Sequence, residues 1–265
     1  MNVQALPIGV FDSGLGGLSV LRSLRAMLPA EDVLYYADSA HCPYGLRTPE
    51  EILHRSATIT STLVQRGAKL IIVACNTATS VALQELRGRF GLPIVGLVPA
   101  VKPAVAATRS GRIGVLATPR TACGETLAEL IRRHADGAEV FTVAAPGLAD
   151  LVEAGYTVGP EVEVALQPLL DPLVTSGVDT LVLGCTHYPF LRDAIRDLVG
   201  PDITVIDSGE AIARRTRDVL ATCDGLRPGS RPGNLELLTS GGPKTVGAVA
   251  SRLLGEPVVA SHLLV

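Results

Sequence analysis

The amino-acid sequence predicts an α/β fold of two similar domains with mainly parallel sheets and pseudo-twofold symmetry. Short apolar runs alternate with amphipathic stretches along the chain, the pattern of helices packed on a sheet. The runs are apolar throughout rather than at every second residue, as parallel strands buried on both faces are. The order of elements also repeats. Leu70-Ile71-Ile72-Val73-Ala74-Cys75-Asn76-Thr77 matches Thr180-Leu181-Val182-Leu183-Gly184-Cys185-Thr186-His187. Ile8-Gly9-Val10-Phe11-Asp12-Ser13 matches Ile113-Gly114-Val115-Leu116-Ala117-Thr118 at nearly the same separation.

Strands are expected at residues 8–11, 33–37, 70–74 and 94–98, and again at 113–116, 139–143, 180–184 and 203–206. Helices are expected between them at 17–28, 50–65, 78–89, 100–108, 125–134, 162–174 and 190–199. After a Pro- and Gly-rich loop at 227–233 come a strand at 235–238, a helix at 243–254 and a short strand at 258–259. This tail is too short to stand alone and is expected to pack back on the first unit. The domains are then 1–98 with 209–265, and 99–208.

The chain has 265 residues, 47% of them apolar, which suffices for two well-buried cores. Its net charge of −3 gives no footprint for nucleic acid or an anionic membrane. No apolar run is long enough to span a bilayer, and the first residues do not form a signal peptide. The five cysteines, at 42, 75, 123, 185 and 223, include no Cys-x-x-Cys pair. A disulfide framework or zinc knuckle is not expected, and the reducing cytoplasm fits best.

Cys75 and Cys185 carry the chemistry of the repeat. Each ends a strand, and Cys75 is followed directly by a helix. There the first-turn N–H groups and the helix dipole stabilise a thiolate and can also bind a carboxylate. Asn76 and Thr77 add side-chain hydrogen bonds, as Thr186 and His187 do for Cys185. A plain buried cysteine is the alternative for Cys75, and a packed polar residue the alternative for His187. Cys-x-His also invites a metal, but no third ligand stands at a recognisable spacing, so no metal is expected. Two thiols, one from each half, suit the two faces of one ligand, as proton transfer at carbon requires.

Asp12-Ser13-Gly14-Leu15-Gly16-Gly17 lacks the spacing of either dinucleotide or P-loop motifs. Asp12 suits an ammonium group or a nearby proton acceptor, or it is simply a helix N-cap. His41-Cys42-Pro43-Tyr44-Gly45 is a turn just after Asp38 that can offer N–H groups and a phenol. Glu153 reads as a helix-surface carboxylate. Cys42, Cys123 and Cys223 have no counterpart at a strand end and are assigned no role.

Taken together, Gly9 to Gly17, Pro43-Tyr44-Gly45, Ala74 to Ala78 and Gly184-Cys185-Thr186-His187-Tyr188-Pro189 resemble the glutamate racemases of the cofactor-independent aspartate/glutamate racemase superfamily. The motifs stand in that family's order, and the likeness covers nearly the whole chain. Where the family often has Ile-Glu-Pro-Gly, this chain has Leu97-Val98-Pro99-Ala100 and lacks the acid. The resemblance implies two domains facing a cleft that holds the active site, and a homodimer. It implies that Cys75 and Cys185 are the acid/base pair, Cys75 serving D-glutamate and Cys185 L-glutamate. Asp12 and His187 would assist the thiols, with Glu153 a further participant. Asp12, Ser13, Tyr44, Gly45, Asn76, Thr77, Thr186 and His187 would hold the amino acid. No cofactor is implied, and the product would be D-glutamate for peptidoglycan. Aspartate racemase is the nearest rival. Decarboxylases of the superfamily typically keep one cysteine. A non-catalytic amino-acid-binding protein would not need two matched thiols, and a redox protein would be expected to carry a close pair.

Overall fold

The computed structural model describes residues 2–265. The chain opens with β1 (Ile8–Asp12), α1 (Leu18–Met27), β2 (Val33–Ala37), α2 (Pro49–Gln65), β3 (Leu70–Val73), α3 (Asn76–Arg89) and β4 (Ile94–Gly96). Then come α4 (Val101–Ala107), β5 (Arg112–Ala117), α5 (Pro119–Ala122), α6 (Glu125–His134) and β6 (Glu139–Ala144). They are followed by α7 (Leu148–Glu153), α8 (Pro160–Thr175), β7 (Thr180–Leu183), α9 (Arg192–Val199) and β8 (Thr204–Ile206). The chain finishes with α10 (Gly209–Thr222), β9 (Leu235–Thr239), α11 (Pro243–Leu254) and β10 (Ala260–His262). It divides into two units. One holds the residues up to Leu97 together with Gly209–Val265, and the other holds Val98–Ser208.

The first unit contains a six-stranded parallel sheet in the order β10-β9-β2-β1-β3-β4. Its central strands β1, β2 and β3 are buried along their whole length, which is why they are aliphatic or aromatic at nearly every position. α1 packs with α10 and α11, while α2 packs with α3. α2 begins at a capping box. The Thr48 hydroxyl accepts the Glu51 N–H at 3.2 Å, and the Glu51 carboxylate accepts the Thr48 N–H at 2.8 Å.

The second unit is a four-stranded parallel sheet, β6-β5-β7-β8. That order repeats β2-β1-β3-β4 of the first unit, so the sequence repeat is a repeat of topology. Strand order reverses between β1 and β3, and between β5 and β7. In open parallel sheets ligands bind beyond the carboxyl ends of the strands at such a reversal. Cys75 follows β3 and Cys185 follows β7, so each stands at that place in its own unit.

Several segments differ from the sequence reading, among them the short helices α5 and α7, which it does not include. α10 is absent from it because its buried stripe includes the small residues Ala213 and Thr216 beside Ile212 and Leu220, a weak apolar signal. The last strand lies at Ala260–His262 rather than 258–259. The Ser251 hydroxyl bonds both the Val258 N–H at 2.9 Å and its carbonyl at 3.2 Å, which ties Val258 to α11. Residues 188–191 form a 3-10 turn ahead of α9. α8 carries Pro168 and Pro172 inside it. The carbonyls that lose a donor belong to Val164 and Pro168, both exposed, where water can satisfy them.

Two carboxylates fix loops at the amino ends of the sheets. Asp179 accepts from the Thr108 hydroxyl at 2.6 Å and from the Arg109 and Ser110 N–H groups at 2.7 Å each. Burial pushes its carboxyl up, but these donors outweigh burial and hold it well below the usual carboxylate range. A carboxyl so depressed stabilises the fold above its unfolded pKa, and this is lost as pH falls. Asp179→Asn is therefore expected to melt lower than wild type at pH 7, with the gap shrinking once pH drops below about 4. Thermal denaturation across pH checks it, and a gap independent of pH would contradict the assignment.

In the first unit, Lys69 and Glu31 are a buried pair, their side chains 0% and 2% exposed and 2.5 Å apart. The Lys69 ammonium also donates to the carbonyls of Gln4 at 3.1 Å and Gly225 at 2.9 Å. Glu31 accepts the Arg227 N–H at 2.8 Å. The pair thus joins the loop before β2, the loop before β3 and the segment between α10 and β9.

Candidate active site

In the first unit the site is built on the carboxyl ends of β1 and β3. Asp12 ends β1 and is fully buried. One carboxylate oxygen accepts the Ser13 N–H at 2.8 Å and the other the Gly17 N–H at 2.7 Å, so Asp12 braces the loop between them. Gly17 has no room for a side chain. A Cβ there would lie 2.6 Å from the Tyr35 hydroxyl and 3.0 Å from the side chains of Ala74 and Asp12. Tyr35 in turn donates to the Gly14 carbonyl at 3.0 Å. The loop is therefore fixed before any ligand arrives.

Cys75 is the N-cap of α3, and its sulfur accepts the Ala78 N–H at 3.5 Å. The Ser13 hydroxyl lies 3.9 Å from the same sulfur. Helix dipole and N–H donation both favour the thiolate. Asn76 and Thr77, the first residues of α3, are buried. The side-chain oxygen of Asn76 is buried and accepts no hydrogen bond among the described residues. Such an orphan is costly unless a ligand donates to it.

Tyr44 is 1% exposed, and its phenol donates to Asp38 at 2.6 Å. Burial and the Asp38 charge push the phenol far above its usual pKa, so it stays protonated. What the turn offers a ligand is therefore backbone, at Tyr44 and Gly45. That turn packs against α3.

In the second unit Cys185 is buried and its sulfur lies 3.6 Å from His187 Nδ1. His187 Nε2 is 2.7 Å from Glu153 Oε1, at the end of α7. Thiol, imidazole and carboxylate form a chain in which the base is oriented by a third group. Both imidazole nitrogens of this buried histidine thus have protein partners. Thr186 is buried beside them. Tyr188 donates to the Ala145 carbonyl at 2.9 Å, and burial with the neighbouring Cys185 raises its phenol above the ordinary value.

The predicted residues thus gather into two clusters, one per unit. Asp12, Ser13, Asn76, Thr77, Tyr44 and Gly45 belong to the Cys75 cluster, and Thr186, His187 and Glu153 to that of Cys185. Cys123 and Cys223 are exposed and Cys42 half-buried. Sequence reasoning passed over Asp38, a fully buried carboxylate at the end of β2 that bonds His41, Tyr44, Arg55 and Ser240. Its only signal was an acid placed between an apolar strand and a Pro-Tyr-Gly turn.

The chain is similar to known proteins in both sequence and fold. Over residues 8–216 the chain matches the family model described as Asp/Glu/Hydantoin racemase. It is 53% identical to a glutamate racemase of Deinococcus radiodurans over 94% of this chain and 87% of that protein. The glutamate racemase isoform RacE1 of Bacillus anthracis superposes with a TM-score of 0.89 at 31% identity, covering 99% of this chain and 98% of that one. Escherichia coli glutamate racemase, solved with L-glutamate and the activator UDP-MurNAc-ala, superposes with a TM-score of 0.85 at 33% identity, covering 97% of each chain. A match of this length and identity, on a shared fold, means that the chain belongs to the Asp/Glu/Hydantoin racemase family.

Proposed function

We propose that this chain interconverts L- and D-glutamate by two-base proton transfer at Cα, with Cys75 acting on one face of the substrate and Cys185 on the other. The observation that supports this most is the repeated placement of one buried thiol at the strand-order reversal of each sheet. The glutamate-racemase relatives supply the substrate.

Racemisation takes a proton from one face of Cα and returns one to the other. One sulfur enters as thiolate and takes the proton. The other enters as thiol and gives its own to the opposite face, and the roles exchange in the reverse direction. From L-glutamate, Cys185 removes the proton and Cys75 delivers one. The Cα–H is a very weak acid, so the electron pair left on carbon must be stabilised by donors to the carboxylate. The first-turn N–H groups of α3, with Ser13, Thr77, Thr186 and the Tyr44–Gly45 backbone, are suited to that. The unpartnered Asn76 oxygen suits the substrate ammonium. Asp12 works by holding the loop that carries Ser13. His187, oriented by Glu153, modulates the proton on Cys185. The reaction needs no cofactor, and in the cytoplasm its D-glutamate would feed peptidoglycan synthesis.

Isotope entry tests the stereochemistry. Unlabelled L-glutamate converted in D₂O is expected to give D-glutamate that carries deuterium at Cα from the earliest times. The remaining L-glutamate should at first stay unlabelled. Early D-glutamate that kept its original hydrogen would rule out two opposed thiols. Running L-aspartate beside L-glutamate in a circular-dichroism assay tests the substrate, with activity expected on glutamate.

A further inference from the structure

Asp38 carries no charge that the proposed chemistry uses, yet it is the most heavily bonded buried acid near the site. Its side chain is fully buried. One oxygen accepts from the Tyr44 phenol at 2.6 Å and from Arg55 Nε at 2.9 Å. The other meets Arg55 Nη2 at 2.8 Å, the Ser240 hydroxyl at 2.7 Å and His41 Nδ1 at 2.9 Å. The donors come from four places: α2, the turn after β2, the residue after β9, and the Tyr44 turn itself. The remaining nitrogen of the Arg55 fork donates to the Val265 carbonyl at 2.5 Å. Burial alone would push the Asp38 carboxyl up, but its bonds to Arg55, Tyr44 and Ser240 hold it below the ordinary value, so it stays ionised.

An ionised carboxylate with this many donors is a rigid anchor, because moving any one partner leaves a buried charge short of a bond. Tyr44 is the partner that leads to the site. Its turn packs against α3, and its ring belongs to the same apolar cluster as Cys75 and Ala78. The Tyr44 proton is directed at Asp38, which leaves the turn's backbone as the ligand-facing group. We propose that Asp38, clamped by Arg55 and Ser240, is a positioning residue that fixes the Tyr44–Gly45 turn against the helix capped by Cys75. It acts on substrate binding through that backbone and does not itself exchange a proton with substrate. Arg55 belongs to the same device, because its planar fork spans both carboxylate oxygens as a lysine cannot. This rests on the reading that the Cys75 cluster binds glutamate.

The test uses Asp38→Asn, Arg55→Lys, Arg55→Met and Ser240→Ala in the full chain. KM and kcat are measured in both directions, with amide hydrogen exchange over residues 41–47. Asp38→Asn is expected to raise KM about tenfold or more while kcat changes less than about threefold. Ser240→Ala removes one bond and should shift KM the same way by about two- to threefold. Arg55→Lys should fall between wild type and Arg55→Met. In each variant, exchange over 41–47 should quicken while the strands keep their protection. A folded Asp38→Asn protein with wild-type KM and unchanged exchange overturns the proposal, as does a loss confined to kcat. If Asp38→Asn does not fold, Ser240→Ala and Arg55→Lys decide by the same two readouts. Should wild type fail to racemise glutamate, the functional reading falls. The exchange measurement then still judges the positioning role.

Discussion

Cys75→Ser and Cys185→Ser are each expected to lower racemisation by about a thousandfold or more, in both directions. A serine hydroxyl is far too weak an acid to enter as an oxyanion at neutral pH, and one positioned proton-transfer group is worth roughly 10²–10⁴-fold. The loss is symmetric because each direction needs both sulfurs, one to take a proton and one to give it. Cys123→Ser and Cys223→Ser, at exposed positions, serve as controls and should stay within about twofold of wild type. Steady-state rates from L- and D-glutamate, with circular dichroism confirming the fold, decide it. A folded Cys75→Ser or Cys185→Ser protein that racemises at near wild-type rate would end the two-thiol reading.

Lys69→Met is expected to be among the most destabilising single changes outside the site, by about 3–5 kcal/mol. The mutation removes a buried ammonium and leaves Glu31 charged, buried and short of its partner, with 2% of its side chain exposed. The Gln4 and Gly225 carbonyls lose their donor at the same time. Most of the cost comes from that uncompensated charge rather than from the attraction itself. Glu31→Gln added to Lys69→Met should therefore recover a substantial part of the loss. Urea unfolding of both variants checks it. A double variant no more stable than the single one would mean that the cost lies in lost packing instead.

The strands were legible because burial on both faces demands apolar residues at every position, and the sequence shows such runs at β1, β2, β3, β5 and β7. The duplication was legible because Cys75 and Cys185 both sit one residue beyond equivalent places, Ala74 and Gly184, whose N–H groups bond the carbonyls of Phe11 and Leu116. α10 was not, since Ala213 and Thr216 pack closely on a neighbouring helix without looking apolar. Glu153 could be read either way, because its histidine partner lies 34 residues on and only the fold brings them to 2.7 Å. Asp38 shows the same difficulty more sharply, with partners 17 and 202 residues away in sequence. Short-range pattern identifies elements and strand-end loops. It does not identify a polar network assembled from distant segments.

The strand order of the first sheet also bears on how the protein is made. β2 is buried from end to end, yet one of its two neighbours, β9, lies at Leu235–Thr239, almost two hundred residues later. A chain emerging from the ribosome must build the whole of the second unit before that neighbour exists. Until then Val33-Leu34-Tyr35-Tyr36-Ala37 presents an unpaired, aromatic-rich border, the kind of edge that recruits strands from other molecules. Nascent chains halted before residue 235 should thus be captured by holdase chaperones or aggregate, whereas those that extend past β10 should be released.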